Sequence, residues 1–182
     1  MTRTAILDAA EQIMRDEGYT AVTSRKVAAR AGLKSQLVHY YFGTMDELFL
    51  AVFQRVEQQH FARMAQALAS KRPLSGLWAL CIDSSGPRLT KEFVAMATHR
   101  APLRKEIARS AERTRAIFTA VLTRIADERD LPHDSWPPAA LAVLIDGAAR
   151  LIVSERALGT CAGHDETIAL IERHLDRVEP AQ

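Results

Sequence analysis

The stretch Thr20-Ala21-Val22-Thr23-Ser24-Arg25-Lys26-Val27-Ala28-Ala29-Arg30-Ala31-Gly32-Leu33-Lys34-Ser35-Gln36-Leu37-Val38-His39-Tyr40-Tyr41-Phe42-Gly43-Thr44 decides how this chain reads. Thr23 or Ser24 can cap a helix amino terminus, and Gly32 is the residue type that ends one. The spacing predicts a helix from there to about Ala31, a turn at Gly32, and a further helix from about Lys34 to Phe42. Two short helices joined by a glycine turn form a helix-turn-helix, whose second helix is shaped for the DNA major groove. The stretch holds four cations (Arg25, Lys26, Arg30 and Lys34) and no acid. Residues 1–19 hold Arg3 and Arg15 against Asp8, Glu11, Asp16 and Glu17. The formal net charge of the chain is only +2, so charge distribution rather than total charge points to nucleic acid.

Within the helix pair, inward and outward positions separate. Val27 and Ala31 lie one turn apart, as do Val38 and Tyr41, and Leu33 closes the small core between the helices. Ala28 and Gly32 are small where the helices approach, and Gly32 can take the positive φ of a tight turn. Lys34, Ser35, Gln36, His39 and Tyr40 point outward, with Leu37 at the edge. Gln36 suits bidentate pairing with adenine, and Leu37 suits a thymine methyl. Lys34 and Tyr40 suit phosphates, which position the protein without specifying sequence. Arg25 suits a guanine or a phosphate. The candidate DNA contacts are thus Thr23, Ser24, Arg25, Lys34, Ser35, Gln36, Leu37, His39, Tyr40 and Tyr41. The competing reading is a solvated helix pair in an ordinary bundle.

The surrounding sequence is helical throughout. Ile6, Leu7, Ala10, Ile13 and Met14 line one face of a first helix that stops at Gly18. Thr44-Met45-Asp46-Glu47 is a capping box opening a fourth helix, with Leu48, Phe49, Val52, Phe53, Val56, His60, Met64 and Leu68 on one stripe. That helix ends before Pro73. Shorter helices follow at Leu74–Ile82 and Leu89–His99, separated by the breaker Ser84-Ser85-Gly86-Pro87. Pro102 opens a long helix, Pro132 through Pro138 form a loop, and the last two helices run from Pro137 or Pro138 to about Leu158 and over Asp165–Val178. No run alternates long enough to make a sheet. The expected fold is all-α with about nine helices.

Composition excludes several function classes. The chain is 48% apolar and 25% charged, ordinary values for a globular protein. Asp8 and Glu11 interrupt the apolar positions of Met1–Met14, so no secretory leader is expected. The longest apolar run, Ala139–Ile145, is far short of the roughly 20 residues of a membrane helix. Cys81 and Cys161 share no metal-ligand or redox spacing, which fits a reduced, cytoplasmic protein. There is no glycine-rich phosphate loop, no histidine pair at metal spacing and no nucleophile elbow. No cofactor or metal is therefore expected. Cys81 with His99 is the only conceivable thiol pair, at a spacing that does not set it apart from chance.

Ala28-Ala29-Arg30-Ala31-Gly32-Leu33, Leu37-Val38-His39-Tyr40-Tyr41-Phe42 and Asp46-Glu47-Leu48 together resemble the amino-terminal domain of the tetracycline-repressor (TetR) family of transcriptional regulators. The likeness covers roughly residues 5–55 without a gap. Three positions depart from the common pattern. Lys34 stands where many members have a capping serine, Leu37 where a threonine is common, and Met45 where a lysine is frequent. The resemblance implies a helix-turn-helix DNA-binding domain over 1–46 and a helical effector-binding and dimerisation domain over 47–182. It implies a dimeric repressor released from a double-stranded DNA operator by a small-molecule effector. The alternatives are a helical interaction module or a small enzyme without DNA binding.

On that scheme the effector pocket lies among helices four to seven, lined by Phe61, Met64, Trp78, Cys81, Phe93, Met96, His99, Phe118 and Leu122. Residues of these types at helical spacing serve equally as plain core. Arg100–Arg115 carries six cations against Glu106 and Glu112, which suits an acidic effector or a solvated face. In Ala139–Val153 the only charges are Asp146 and Arg150, so that helix is buried on more than one side. A subunit interface or a large core would bury it. The interface reading assigns Leu144, Ala148, Leu151 and Ile152, with Ile168 and Ile171 from the last helix.

Overall fold

The computed structural model describes residues 1–83, 87–132 and 134–180. Among them are nine α-helices and no strand. They are α1 (Thr2–Glu17), α2 (Ser24–Ala31), α3 (Ser35–Tyr41), α4 (Met45–Leu68), α5 (Pro73–Ile82), α6 (Pro87–Ala97), α7 (Ala101–Glu128), α8 (Pro138–Arg156) and α9 (His164–Val178). A single 3₁₀ turn, Tyr19–Ala21, joins α1 to α2. The expected all-α architecture is thereby met. Ser84, Ser85 and Gly86 of the expected breaker, and His133 of the expected loop, lie outside the described residues. None of the described helices is long and apolar enough to cross a membrane.

Two compact units make up the chain. The first comprises Met1–Gln59 and Arg88–Arg109, the second His60–Pro87 and Ser110–Gln182. The first unit therefore extends well past residue 46. The cause is the apolar stripe of α4: Leu48, Phe49, Val52 and Phe53 bury into the cluster built by Ile6, Ile13 and Met14 of α1. Leu89, Phe93 and Met96 of α6 and Leu103 of α7 join the same cluster. Each such side chain contributes about 1.5–3 kcal/mol when fully buried, which outweighs any gain from ending the unit at the start of α4. Ion pairs tie α1 to α4: Arg55 reaches Asp8 at 2.5 Å and also pairs with Glu11, which in turn holds Arg15 at 2.7 Å.

In the second unit α5 packs on α8 and α9. Its core holds Met64, Leu74, Leu77, Trp78, Phe118, Leu122, Ile125, Ala149, Ile152 and Leu175. Gly76 lets α5 approach α4 closely, because a Cβ there would lie 3.1 Å from that of Ala67. The start of α5 is closed by a distant residue. The buried Glu179 carboxylate accepts from the backbone N–H groups of Leu74 (2.8 Å) and Ser75 (2.9 Å), and from the Ser75 hydroxyl (3.0 Å). It satisfies amides that a helix start otherwise leaves open.

Candidate nucleic-acid interface

Each expected local signal produces its structure in α2. The Thr23 hydroxyl accepts from the Lys26 N–H at 3.2 Å and caps the helix. At the far end Gly32 sits at φ 68°, ψ 32°, the left-handed conformation. Leu33 N–H donates to the Ala28 carbonyl at 2.9 Å and Gly32 N–H to that of Ala29 at 3.3 Å, the paired closure of a Schellman turn. Leu33 then packs against the core, as expected.

Helix α3 starts without a side-chain cap, since Lys34 occupies the capping position and its side chain accepts nothing. Val38 is the only residue within α3 that is buried. Its inward partner differs from expectation: Phe42 is 3% exposed and Tyr41 is 40% exposed. Positions 38 and 42 lie about 40° apart around a helix axis, against about 60° for 38 and 41, so Phe42 follows Val38 into the core. Tyr41 instead forms an edge-on pair with Tyr40, their ring centroids 5.3 Å apart. Tyr40 is 80% exposed. The Thr44 hydroxyl accepts from the Glu47 N–H at 3.2 Å, and Glu47 accepts from the Gly43 N–H at 3.1 Å, so the capping box opens α4 directly after α3.

Of the ten candidate contacts, Thr23, Arg25, Lys34, Gln36, Leu37, His39, Tyr40 and Tyr41 are exposed, while Ser24 and Ser35 are half-buried. The charge of the segment divides in a way the sequence count does not show. Lys26 pairs with Glu17, and Arg30 lies 3.4 Å from Asp16 and 3.6 Å from Glu17. Arg25 and Lys34 have no carboxylate partner among the described residues. Two of the four cations are thus compensated by the end of α1 and two are available to phosphate. Arg3, at the start of α1, places its guanidinium carbon 5.1 Å from the Phe42 ring centroid. The sequence offered no signal for that neighbour, because it depends on how α1 packs beside the end of α3.

The nine pocket candidates do not share one core. Phe93 and Met96 belong to the first unit's cluster, and His99 is exposed at the end of α6. Met64, Trp78, Phe118 and Leu122 are buried in the second unit's cluster, with Phe61 and Cys81 packed against it. Arg113 stacks over Phe61 at 4.1 Å. Within that core the indole N–H of Trp78 is buried without a hydrogen-bond partner. The Cys81 thiol is pushed up to about 12, chiefly by burial and further by Asp146, with Arg150 opposing.

The six interface candidates divide as well. Leu144 (65% exposed) and Leu151 (57%) lie open on α8, and Ala148 is half-buried. Ile152 points the other way and is 2% exposed in the second core. Ile168 and Ile171 of α9 are half-buried against that same core. Val143 of α8 and Leu170 of α9 are exposed as well.

Comparison with known proteins agrees with this arrangement. Residues 6–52 match the family model described as bacterial regulatory proteins, tetR family. Over 79 residues the chain is 32% identical to the HTH-type transcriptional regulator BetI of Rhizobium meliloti, covering 41% of this chain and 39% of that protein. Over 163 residues it is 27% identical to BetI of Agrobacterium fabrum, covering 84% of this chain and 73% of that one. The fold matches that of the transcriptional regulator FadR from Bacillus subtilis, solved in complex with stearoyl-CoA. The TM-score is 0.70 at 18% identity, over 97% of both chains. The tetR-family match spans the capped α2, the Gly32 turn and α3, within a chain of the same all-helical fold: over residues 6–52 the protein is similar to the bacterial regulators of the tetR family.

Proposed function

We propose that this protein is a sequence-specific DNA-binding transcription regulator, acting as a dimeric repressor that a small-molecule effector releases from its operator. One observation carries the DNA half. Helix α3 buries only Val38 and leaves Gln36, Leu37, His39, Tyr40 and Tyr41 open, between a Schellman turn and a capping box that fix both its ends. A helix held that firmly, with so little of it in the core, is built for an external partner. Gln36 and Leu37 are the base readers, and Arg25, Lys34 and Tyr40 hold the backbone. The uncompensated charge of Arg25 and Lys34 supports the same reading.

The effector site belongs to the second unit, around Met64, Trp78, Phe118 and Leu122, with Phe61 and Cys81 at its margin. The unpartnered Trp78 N–H supports it, since a buried donor without an acceptor costs about 1–3 kcal/mol that a ligand acceptor would recover. The stearoyl-CoA bound to FadR supports a ligand site in a neighbour of this fold. In this reading the signal runs along helix α4, which is unbroken from Met45 to Leu68. The exposed Leu144 and Leu151, on one face of α8, support pairing of two copies, as an operator of two half-sites requires.

The test is recovery of bound duplexes from genomic fragments, followed by titration of Arg25→Ala and Gln36→Ala. Both variants should lose operator binding while keeping the helical circular-dichroism spectrum of the parent. Retained operator affinity in both would refute the assignment of α3, and equal affinity with and without bound effector would refute the gating.

A further inference from the structure

Arg3 is placed against the rules that serve helix stability. It lies in the first turn of α1, where the helix dipole favours acids, and that turn holds no acid to balance it. Its side chain is exposed and has no carboxylate partner among the described residues. What it does meet is the ring of Phe42, 5.1 Å from the guanidinium carbon. Phe42 is itself fixed, buried at the carboxy-terminal boundary of α3. A cation is therefore held at the far end of the reading helix by a ring that cannot move away.

The other end of α3 begins at Lys34, which also has no carboxylate partner among the described residues. From position 34 to position 42 the helix rises roughly 12 Å at 1.5 Å per residue. The major groove is also about 12 Å wide. The exposed residues Gln36, Leu37, His39, Tyr40 and Tyr41 lie between these ends. Spacing, charge and exposure thus bracket the readers with a cation on either side.

We propose that Arg3 is a DNA-backbone contact: it engages a phosphate at the carboxy-terminal end of α3, opposite Lys34, with the Phe42 ring holding the guanidinium in place. The contact positions α3 in the groove and carries no sequence information of its own. This rests on the DNA-reading function proposed above and adds a residue outside the helix-turn-helix to it.

The test uses the full chain and a duplex that the wild-type protein enriches from a random-sequence pool, with a scrambled duplex alongside. Arg3→Ala should bind both duplexes roughly fivefold more weakly at 0.15 M salt, and flatten the slope of log affinity against log salt by about 0.9. The ratio between selected and scrambled duplex should stay constant. Arg3→Lys should restore the slope, and both variants should melt with the parent. An unchanged slope with affinity within twofold would overturn the contact. A loss confined to the selected duplex would also overturn it, by making Arg3 a base reader. If the wild-type protein enriches nothing, the DNA-reading function falls and this contact falls with it.

Discussion

The two cysteines of the chain sit in opposite chemical situations. Cys81 is packed against the second core, where burial and the neighbouring Asp146 carboxylate disfavour the thiolate and push its pKa to about 12. Only the thiolate is nucleophilic, so at pH 8 the Cys81 thiol is held in its unreactive form. Cys161 is exposed. A thiol reagent at pH 8 should therefore modify Cys161 within minutes and reach Cys81 only after denaturation. Mass spectrometry of tryptic fragments reads this directly, and prompt labelling of Cys81 in the folded protein would contradict the placement. The same physics argues against a nucleophilic role for Cys81. Residue-level reading from sequence did well where identity alone fixes the outcome. Gly32 takes its left-handed turn because its neighbours supply a helix on each side and no other residue there tolerates positive φ as well. It did less well at Tyr41 and Phe42, which are adjacent aromatics separated only by rotation about a short helix.

At the scale of an element, the two helix starts at α4 and α5 make a useful contrast. The cap of α4 is local: Thr44 and Glu47 are three residues apart, so the pattern is visible in the chain. The cap of α5 comes from Glu179, 105 residues beyond Leu74, and no window of sequence connects them. Its three hydrogen bonds to a buried carboxylate make it a strong contributor. Glu179→Ala should lower stability by about 2–3 kcal/mol in urea unfolding, with Glu179→Gln falling between it and the parent. A shift within error for the alanine variant would show that solvent replaces the carboxylate. The same distinction explains α8. Its sequence announces burial on several sides, and Ile152 and Leu144 both fit that description. Which of them faces the core depends on where α5 and α9 lie, and that is not written within α8.

For the whole molecule, the exposure of Leu144 and Leu151 on α8 has a direct consequence. Leu144 and Leu151, seven residues apart, share one face of α8, and large apolar side chains exposed on a shared face mark a surface meant to be covered. Leu144→Arg combined with Leu151→Glu should convert the proposed dimer to a monomer in analytical ultracentrifugation while leaving the helical signal unchanged. An unaltered dimer would place the pairing surface elsewhere. The helical architecture was legible because it rests on periodicity, capping residues and glycine stops, all of which act within a few residues. The division into units was not, because α4 carries one continuous stripe whose two halves serve different cores.

The pairing of Lys26 and Arg30 with Asp16 and Glu17 bears on how such a protein finds its target. A genome offers about 10⁶–10⁹ competing sites, so what counts is the margin of the right sequence over all others, not grip as such. Two acids at the end of α1 sit where the helix dipole disfavours them, and they withhold two cations from indiscriminate use. Glu17→Gln should tighten binding to random DNA severalfold, steepen its salt dependence and narrow the margin for the selected duplex, measured by competition titration. A variant that holds everything more firmly would spend longer on each wrong site and reach the right one later. In this reading the carboxylates of α1 act as a brake on adhesion, and the loss of affinity they impose is what keeps the search fast.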